Sequence, residues 1–198
     1  MSNSMSQLLF KYLLQHKPYV LLRQNTQTTK NVSLLINYNT LLWVSLHLRL
    51  AQGFYKTQLV DIFGYETPNF SSRKQSGDFR PVKNNLTVVY NFHNLLNQTR
   101  YFIFATNVST SATHTHSAHS LMIDSVTELF STSWWLEREV SELHGIVFSG
   151  KKDTRNLMLQ YGDTSAPFKK ANPSAGFREI FYDSTSDLIA YYQLSFQG

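Results

Sequence analysis

The sequence predicts an α+β domain, on three observations. Runs rich in Val, Ile, Phe and Tyr recur at 32–38, 57–65, 86–92 and 100–107. Apolar residues at helical spacing occupy 4–16, 41–51 and 121–143. Beyond Gly145 the chain collects Gly150, Gly162, Pro167, Pro173 and Gly176 with no long periodic segment, the pattern of an extended, irregular tail.

The elements follow in order. Ser4 to His16 places Leu8, Leu9, Tyr12 and Leu13 on one side of a short helix that Ser4 or Ser6 can cap and Pro18 ends. Val32–Tyr38 reads as a strand. Leu41–Ala51 is apolar at several periods, and its length favours a helix over a strand. Thr57–Tyr65 is a β-type run that stops before the turn residues Pro68, Asn69 and Gly77. Leu86–Phe92 and Arg100–Asn107, with Asn94, Asn97 and Gln98 between them, form the clearest hairpin. Ser109–Ser120 is a Ser/Thr/His loop, and Leu121–Leu143 reads as a helix charged in its second half.

With 198 residues the chain makes one domain that buries roughly 70% of its unfolded surface. Within it, residues 1–60 are a basic arm and the start of the domain, 57–150 the α+β core and 151–198 the tail. The first acid is Asp61, whereas Lys11, Lys17, Arg23, Lys30, Arg49 and Lys56 precede it, so the first 60 residues carry +6 and the remainder, with 12 basic and 13 acidic groups, −1. An acid-free, Ser-containing basic start also has the composition of a mitochondrial transit peptide. A chain that keeps Met1 fits the expectation of synthesis inside the organelle. Phe, Tyr, Met, Ile, Asn and Lys total 60 residues against 29 for Gly, Ala, Arg and Pro, the skew of an AT-rich, often organellar, genome.

Composition excludes several chemistries. With no cysteine, disulfide frameworks, zinc ribbons, thiolate nucleophiles and cysteine-ligated iron–sulfur clusters are ruled out. The 28 aromatics and 42% hydrophobic content argue against disorder, and charged residues at 16%, against about 25% in a typical domain, favour a subunit within an assembly, with the AT-rich coding skew as the alternative source of the low charge. The most apolar stretch, Leu34–Leu50, is interrupted by Asn37, Asn39, His47 and Arg49, so membrane association is expected only through partners.

Candidate metal clusters do not hold up. His114, His116 and His119 lie close together, but no acid precedes Asp124 to complete a site, and a solvated loop is the plainer reading. Glu137, Glu139, Glu142 and His144 lack the Glu-x-x-His spacing of carboxylate-bridged di-iron helices. Arg138 and Glu142 instead form an i,i+4 pair worth about 0.3 kcal/mol on an exposed helix. Walker, Rossmann, nucleophile-elbow and zincin patterns are absent.

From Trp135 the residues become specific. Trp135-Leu-Glu137-Arg138-Glu139, Gly145-Ile146-Val-Phe148-Ser-Gly150, Asp153-Thr-Arg155 and Tyr161-Gly162 follow in fixed order, with Pro167, Lys169, Lys170, Pro173, Gly176, Glu179 and Tyr182 beyond. This resembles the signature of the 30-kDa subunit of respiratory complex I, which includes NADH dehydrogenase subunit 9 and its bacterial NADH-quinone oxidoreductase counterpart: W-x-E-R-E, D-x-F-G-I-x-F, G-H-P-D-L-R-R, D-Y-G-F and P-L-R-K-D-F-P. Upstream, Leu59-Val-Asp61-Ile62, Val88-Val-Tyr90 and Thr99-Arg100-Tyr101 are similar to its strands, whereas the first 60 residues match only in character. The departures are Glu142 and His144 for Asp and Phe, Lys151-Lys152 for His-Pro, Asn156 for the second Arg, Gln160 for Asp, and Ala171-Asn172 for Asp-Phe. A scaffold tolerates such losses better than an active site, because backbone geometry and aromatic packing are retained.

The resemblance implies a mixed β-sheet flanked by helices and a place in the peripheral arm of mitochondrial NADH:ubiquinone oxidoreductase, the H+-translocating enzyme of the inner membrane, on the matrix side. It implies no catalytic residue and no cofactor in this chain, with FMN, iron–sulfur clusters and ubiquinone in partner subunits. It further implies packing against the 49-kDa subunit and iron–sulfur subunits of the ubiquinone module. Structural or interface roles then fall to Trp135, Glu137, Arg138, Glu139, Gly145, Phe148, Asp153, Arg155, Tyr161, Gly162, Pro167, Lys170, Pro173 and Glu179. Glu137, Arg138, Glu139, Asp153 and Arg155 are expected in buried or interfacial ion pairs. The basic arm alone suggests the rival, an organellar ribosomal or RNA-binding protein, but its charges are dispersed rather than clustered.

Overall fold

A computed structural model describes residues 21–24, 31–52, 54, 56–67, 85–106, 122–170, 172, 173, 176 and 178–193. The helix expected at Ser4–His16, the turn at Pro68, Asn69 and Gly77, and the loop with His114, His116 and His119 lie outside the described residues.

The main sheet contains β1 (Leu21–Gln24), β2 (Asn31–Asn37), β3 (Thr57–Thr67), β4 (Asn85–Asn94) and β5 (Thr99–Thr106), in the spatial order β1-β2-β5-β4-β3. It is mixed: β2 runs parallel to β5 while the other neighbours are antiparallel. Strict alternation builds its inner face, where Val32, Leu34 and Ile36 of β2 lie beside Tyr101, Ile103 and Ala105 of β5, all buried. On β3 the register shifts between Leu59 and Asp61, which leaves Val60 exposed as the extra residue and turns both Leu59 and Ile62 inward.

The expected strands and the 86–107 hairpin are all present, and the ambiguous 41–51 segment is a helix, α1 (Leu41–Leu50). A 3-10 turn at Tyr38–Thr40 leads into it, and Leu41, Val44 and Leu48 pack it on the core. Tyr38 anchors that turn by donating its hydroxyl to the Leu86 carbonyl.

The segment expected as one helix over 121–143 divides. Met122–Asp124 is strand β6, which pairs in parallel with β7 (Val147–Ser149), and only Ser133–His144 forms a helix, α2. Ile123, Val126 and Phe130 recur at helical spacing and are all buried, but a strand followed by tight turns delivers them to the core. That periodicity reflects burial and not helix. Gly145 ends α2 in the left-handed conformation, φ 66°, which glycine adopts without steric cost.

The described residues of the tail between Gly150 and Pro173 are irregular, as expected, and the chain then forms a hairpin that the sequence reading missed. Strands β8 (Arg178–Asp183) and β9 (Leu188–Gln193) pair antiparallel with each other and with no other strand among the described residues.

Candidate functional site

Helix α2 carries three charged side chains that fasten the loop following β7. Glu137 is shut off from solvent, and its carboxylate accepts hydrogen bonds from the Val126 N–H at 2.8 Å and the Ser125 hydroxyl at 2.7 Å. The Lys151 ammonium lies 3.1 Å from the same carboxylate and also donates to the Trp134 carbonyl at 2.9 Å. A buried charge is tolerated only when paired and hydrogen-bonded, and both conditions are met here.

The neighbouring Arg138 donates from Nε to the Arg155 carbonyl at 2.8 Å and from a terminal nitrogen to the Asn156 carbonyl at 3.0 Å. Its other terminal nitrogen lies 3.7 Å from the Asp153 carboxylate. Arg155 grips Asp153 with two parallel bonds of 2.9 Å, and this pairing holds the Asp153 carboxyl well below the usual carboxylate range and raises the guanidinium. A turn further on, Glu142 accepts the backbone N–H groups of Leu157, Met158 and Leu159 at 2.9, 2.6 and 3.3 Å. The expected Arg138–Glu142 pair within the helix therefore does not form, because both side chains turn to the loop. Arg138 holds its carbonyls and Glu142 its amides, so a segment without regular structure has its main chain satisfied by side chains.

The tail is held at a second point. Phe168 donates its N–H to the Leu143 carbonyl at 3.0 Å, and Lys170 donates its N–H to Glu66 of β3 at 3.0 Å. His144 is buried at this junction, edge-on to Phe168 with ring centroids 5.5 Å apart, and its Nδ1 has no hydrogen-bond partner among the described residues. Burial pushes the imidazole below its ordinary value, opposed by the Glu66 carboxylate and reinforced by Lys169.

The predicted site residues thus separate. Glu137, Arg138, Asp153 and Arg155 come together, while Glu139 joins no ion pair among the described residues. Phe148 is a core residue of β7. Trp135, Tyr161, Gly162, Pro167, Lys170, Pro173 and Glu179 are exposed, with Trp135 at 63% and Tyr161 at 78%. Two of the positions at which the sequence departs from the 30-kDa pattern, Lys151 and Glu142, are central to the clamp. Their role was missed because a lysine replacing a family His-Pro reads as loss. The signal was the counter-charge that a fully buried Glu137 requires. Between α2 and the loop runs a groove of about 330 Å3, lined by Arg138, Glu142, Ile146, Asn156, Asp163 and Ser165 among others. Its Arg138 and Glu142 are already engaged by backbone groups of the loop, an arrangement that fixes the shape of this surface.

The model of the family described as respiratory-chain NADH dehydrogenase, 30 Kd subunit, matches residues 34–178. The chain belongs to that family. Subunit 9 of NADH-ubiquinone oxidoreductase from Paramecium primaurelia is 34% identical over 70% of the chain and 60% of its own length. A bacterial relative, a subunit of the NADH-quinone oxidoreductase of Paramagnetospirillum magneticum, is 28% identical over 91% of the chain and 80% of its own length. Among solved structures, a trypsin-resistant fragment of Nqo5 is similar in fold, with TM-score 0.50 and 21% identity over 77% of this chain and 99% of the fragment. The 30-kDa family match begins in β2 and stops at Arg178, the first residue of β8, so it takes in the loop that α2 holds and leaves the rest of the β8–β9 hairpin beyond its edge.

Proposed function

We propose that the chain is a non-catalytic docking subunit in the peripheral arm of NADH:ubiquinone oxidoreductase, bound to the matrix face of the mitochondrial inner membrane through its partners. Those partners are the 49-kDa subunit and the iron–sulfur subunits of the ubiquinone module, and FMN, the clusters and ubiquinone reside in them. Electron transfer from NADH to ubiquinone, coupled to H+ translocation, is then a property of the assembly. The carrying observation is that charged residues of the family signature, Glu137, Arg138, Asp153 and Arg155, are spent on rigidifying one loop, while Trp135, Met158 and Tyr161 on that framework stand exposed. Trp, Tyr, Met and Arg are the residues from which protein–protein hot spots are built. Family membership and the names of the relatives support the choice of enzyme.

The test is incorporation of the Trp135→Ala, Tyr161→Ala double variant into the enzyme. A docking surface predicts a loss of assembled enzyme of about 30-fold, the scale of one hot spot, with unchanged NADH:ubiquinone turnover per assembled particle. Normal assembly with selective loss of turnover contradicts the proposal.

A further inference from the structure

The β8–β9 hairpin presents large apolar side chains on both of its faces. The register pairs Ile180 with Tyr191 and Tyr182 with Ile189, which places these four on one face; Phe181, Leu188 and Tyr192 lie on the other, with the Phe181 and Tyr192 rings stacked 4.7 Å apart. All seven are between 41% and 65% exposed. An isolated two-stranded hairpin is marginal in water, and seven exposed apolar side chains in sixteen residues form a patch and not a scatter.

The charges of the hairpin decide what it meets. The hairpin carries one base, Arg178, and three acids; Arg178 and Glu179 sit at its open end, whereas Asp183 and Asp187 stand alone at the turn. Both carboxylates are tied down: Asp183 accepts from Thr185 and Ser186, and Asp187 from the Tyr182 hydroxyl. The bonds from Ser186 and Thr185 pull the Asp183 carboxyl down to about 2, so the tip stays negative at any physiological pH. A membrane surface is thereby disfavoured, since anionic headgroups attract basic amphipathic elements and repel a doubly acidic tip. A second copy of the chain, stacked about a two-fold axis, covers one face and leaves the other in water.

We propose that the hairpin enters, as a tongue, a cleft in a neighbouring subunit of the same enzyme, with apolar walls against both faces and lysine or arginine at the end where the turn lands. This rests on the reading of the chain as a docking subunit and adds a second attachment, distinct from the Trp135–Tyr161 surface. The receptor is recognised by that chemistry alone: two apolar walls about one sheet's thickness apart and a basic floor.

The chain has no cysteine, so Ser184→Cys places a unique thiol at the turn. In purified enzyme carrying that variant, the tongue predicts maleimide labelling about tenfold slower than on the free chain, and a short thiol-to-amine crosslinker joins the turn to a lysine of a different subunit. Ile180→Glu on one face and Leu188→Glu on the other each lower incorporation about fivefold or more, with the melting temperature of the free chain unchanged. Loss from only one of the two variants means a flat contact and overturns the proposal. Equal labelling in both states, or crosslinks confined to a second copy, also overturns it. If the Trp135 and Tyr161 variant fails to assemble while both hairpin variants assemble normally, the hairpin proposal falls and the docking reading stands. The converse result removes the Trp135 surface and leaves the tongue.

Discussion

The ammonium of Lys151 lies 3.1 Å from the carboxylate of Glu137, and the two side chains are 2% and 0% exposed. Helix α2 and the loop after β7 are thus joined by an ion pair that water does not reach. Removing one member strands a buried charge. Lys151→Ala is expected to cost about 3–5 kcal/mol, which for a chain of this length lowers the melting temperature by about 6–20 °C. Glu137→Gln combined with Lys151→Met is expected to recover part of that loss, because no charge is then left unpaired; thermal denaturation of the unaltered chain and the two variants checks it.

Arg138 acts on backbone rather than on a charge alone. Arg138→Ala frees the carbonyls of Arg155 and Asn156, so limited proteolysis within 153–161 is expected to accelerate and the yield of assembled enzyme to fall, with turnover per particle unchanged. Arg138→Lys is not expected to rescue it, because a single ammonium lacks the planar fork that spans two carbonyls and Asp153.

His144 gives the fold an acid-side weakness. Its folded pKa lies below the ordinary value of 6.5, so the unfolded chain binds the proton more readily. Well above pH 6.5 the imidazole is neutral in both states and adds no pH dependence, and stability declines as pH falls through 6.5. His144→Phe, the residue of the family pattern, is expected to flatten melting temperature against pH between about 5 and 7.5, since it removes the titrating group and its unpartnered Nδ1. An unchanged slope contradicts this assignment.

Gly64 is the complement of that imidazole. A Cβ at Gly64 falls 2.8 Å from the His144 Cδ2, too close for both to keep their places. Gly64→Ala is expected to destabilise by about 1–3 kcal/mol, and the Gly64→Ala, His144→Ala double variant to lose less than the two single effects combined. Denaturant melts of the four proteins give the coupling.

Much of the sheet was legible because its strands are runs rich in Val, Ile, Phe and Tyr, but which residues face the core was not: Leu34-Leu35-Ile36 and Tyr101 to Ala105 are unbroken apolar runs, and the alternation that buries Val32, Leu34, Ile36, Tyr101, Ile103 and Ala105 belongs to the folded sheet. The helix expected over 121–143 shows the limit of periodicity, since Ile123, Val126 and Phe130 satisfy helical spacing from a strand and turns. The family resemblance pointed to Glu137, Arg138, Asp153 and Arg155, yet not to what they hold. Main-chain carbonyls and amides carry no signature, so the bonds from Arg138 and to Glu142 were invisible until the loop had a shape. The β8–β9 hairpin was missed for a different reason. Its apolar residues do not alternate, because both faces are apolar, and the strand template requires one polar face.

The central claim is that this chain works as a part of NADH dehydrogenase. Native electrophoresis of detergent-solubilised membranes, stained in the gel for NADH oxidation and probed for this chain, tests it most directly. The expected result is comigration with a very large NADH-oxidising band, reduced in amount by Arg138→Ala without loss of staining per particle. Migration with ribosomal particles, or as a free small protein, contradicts it.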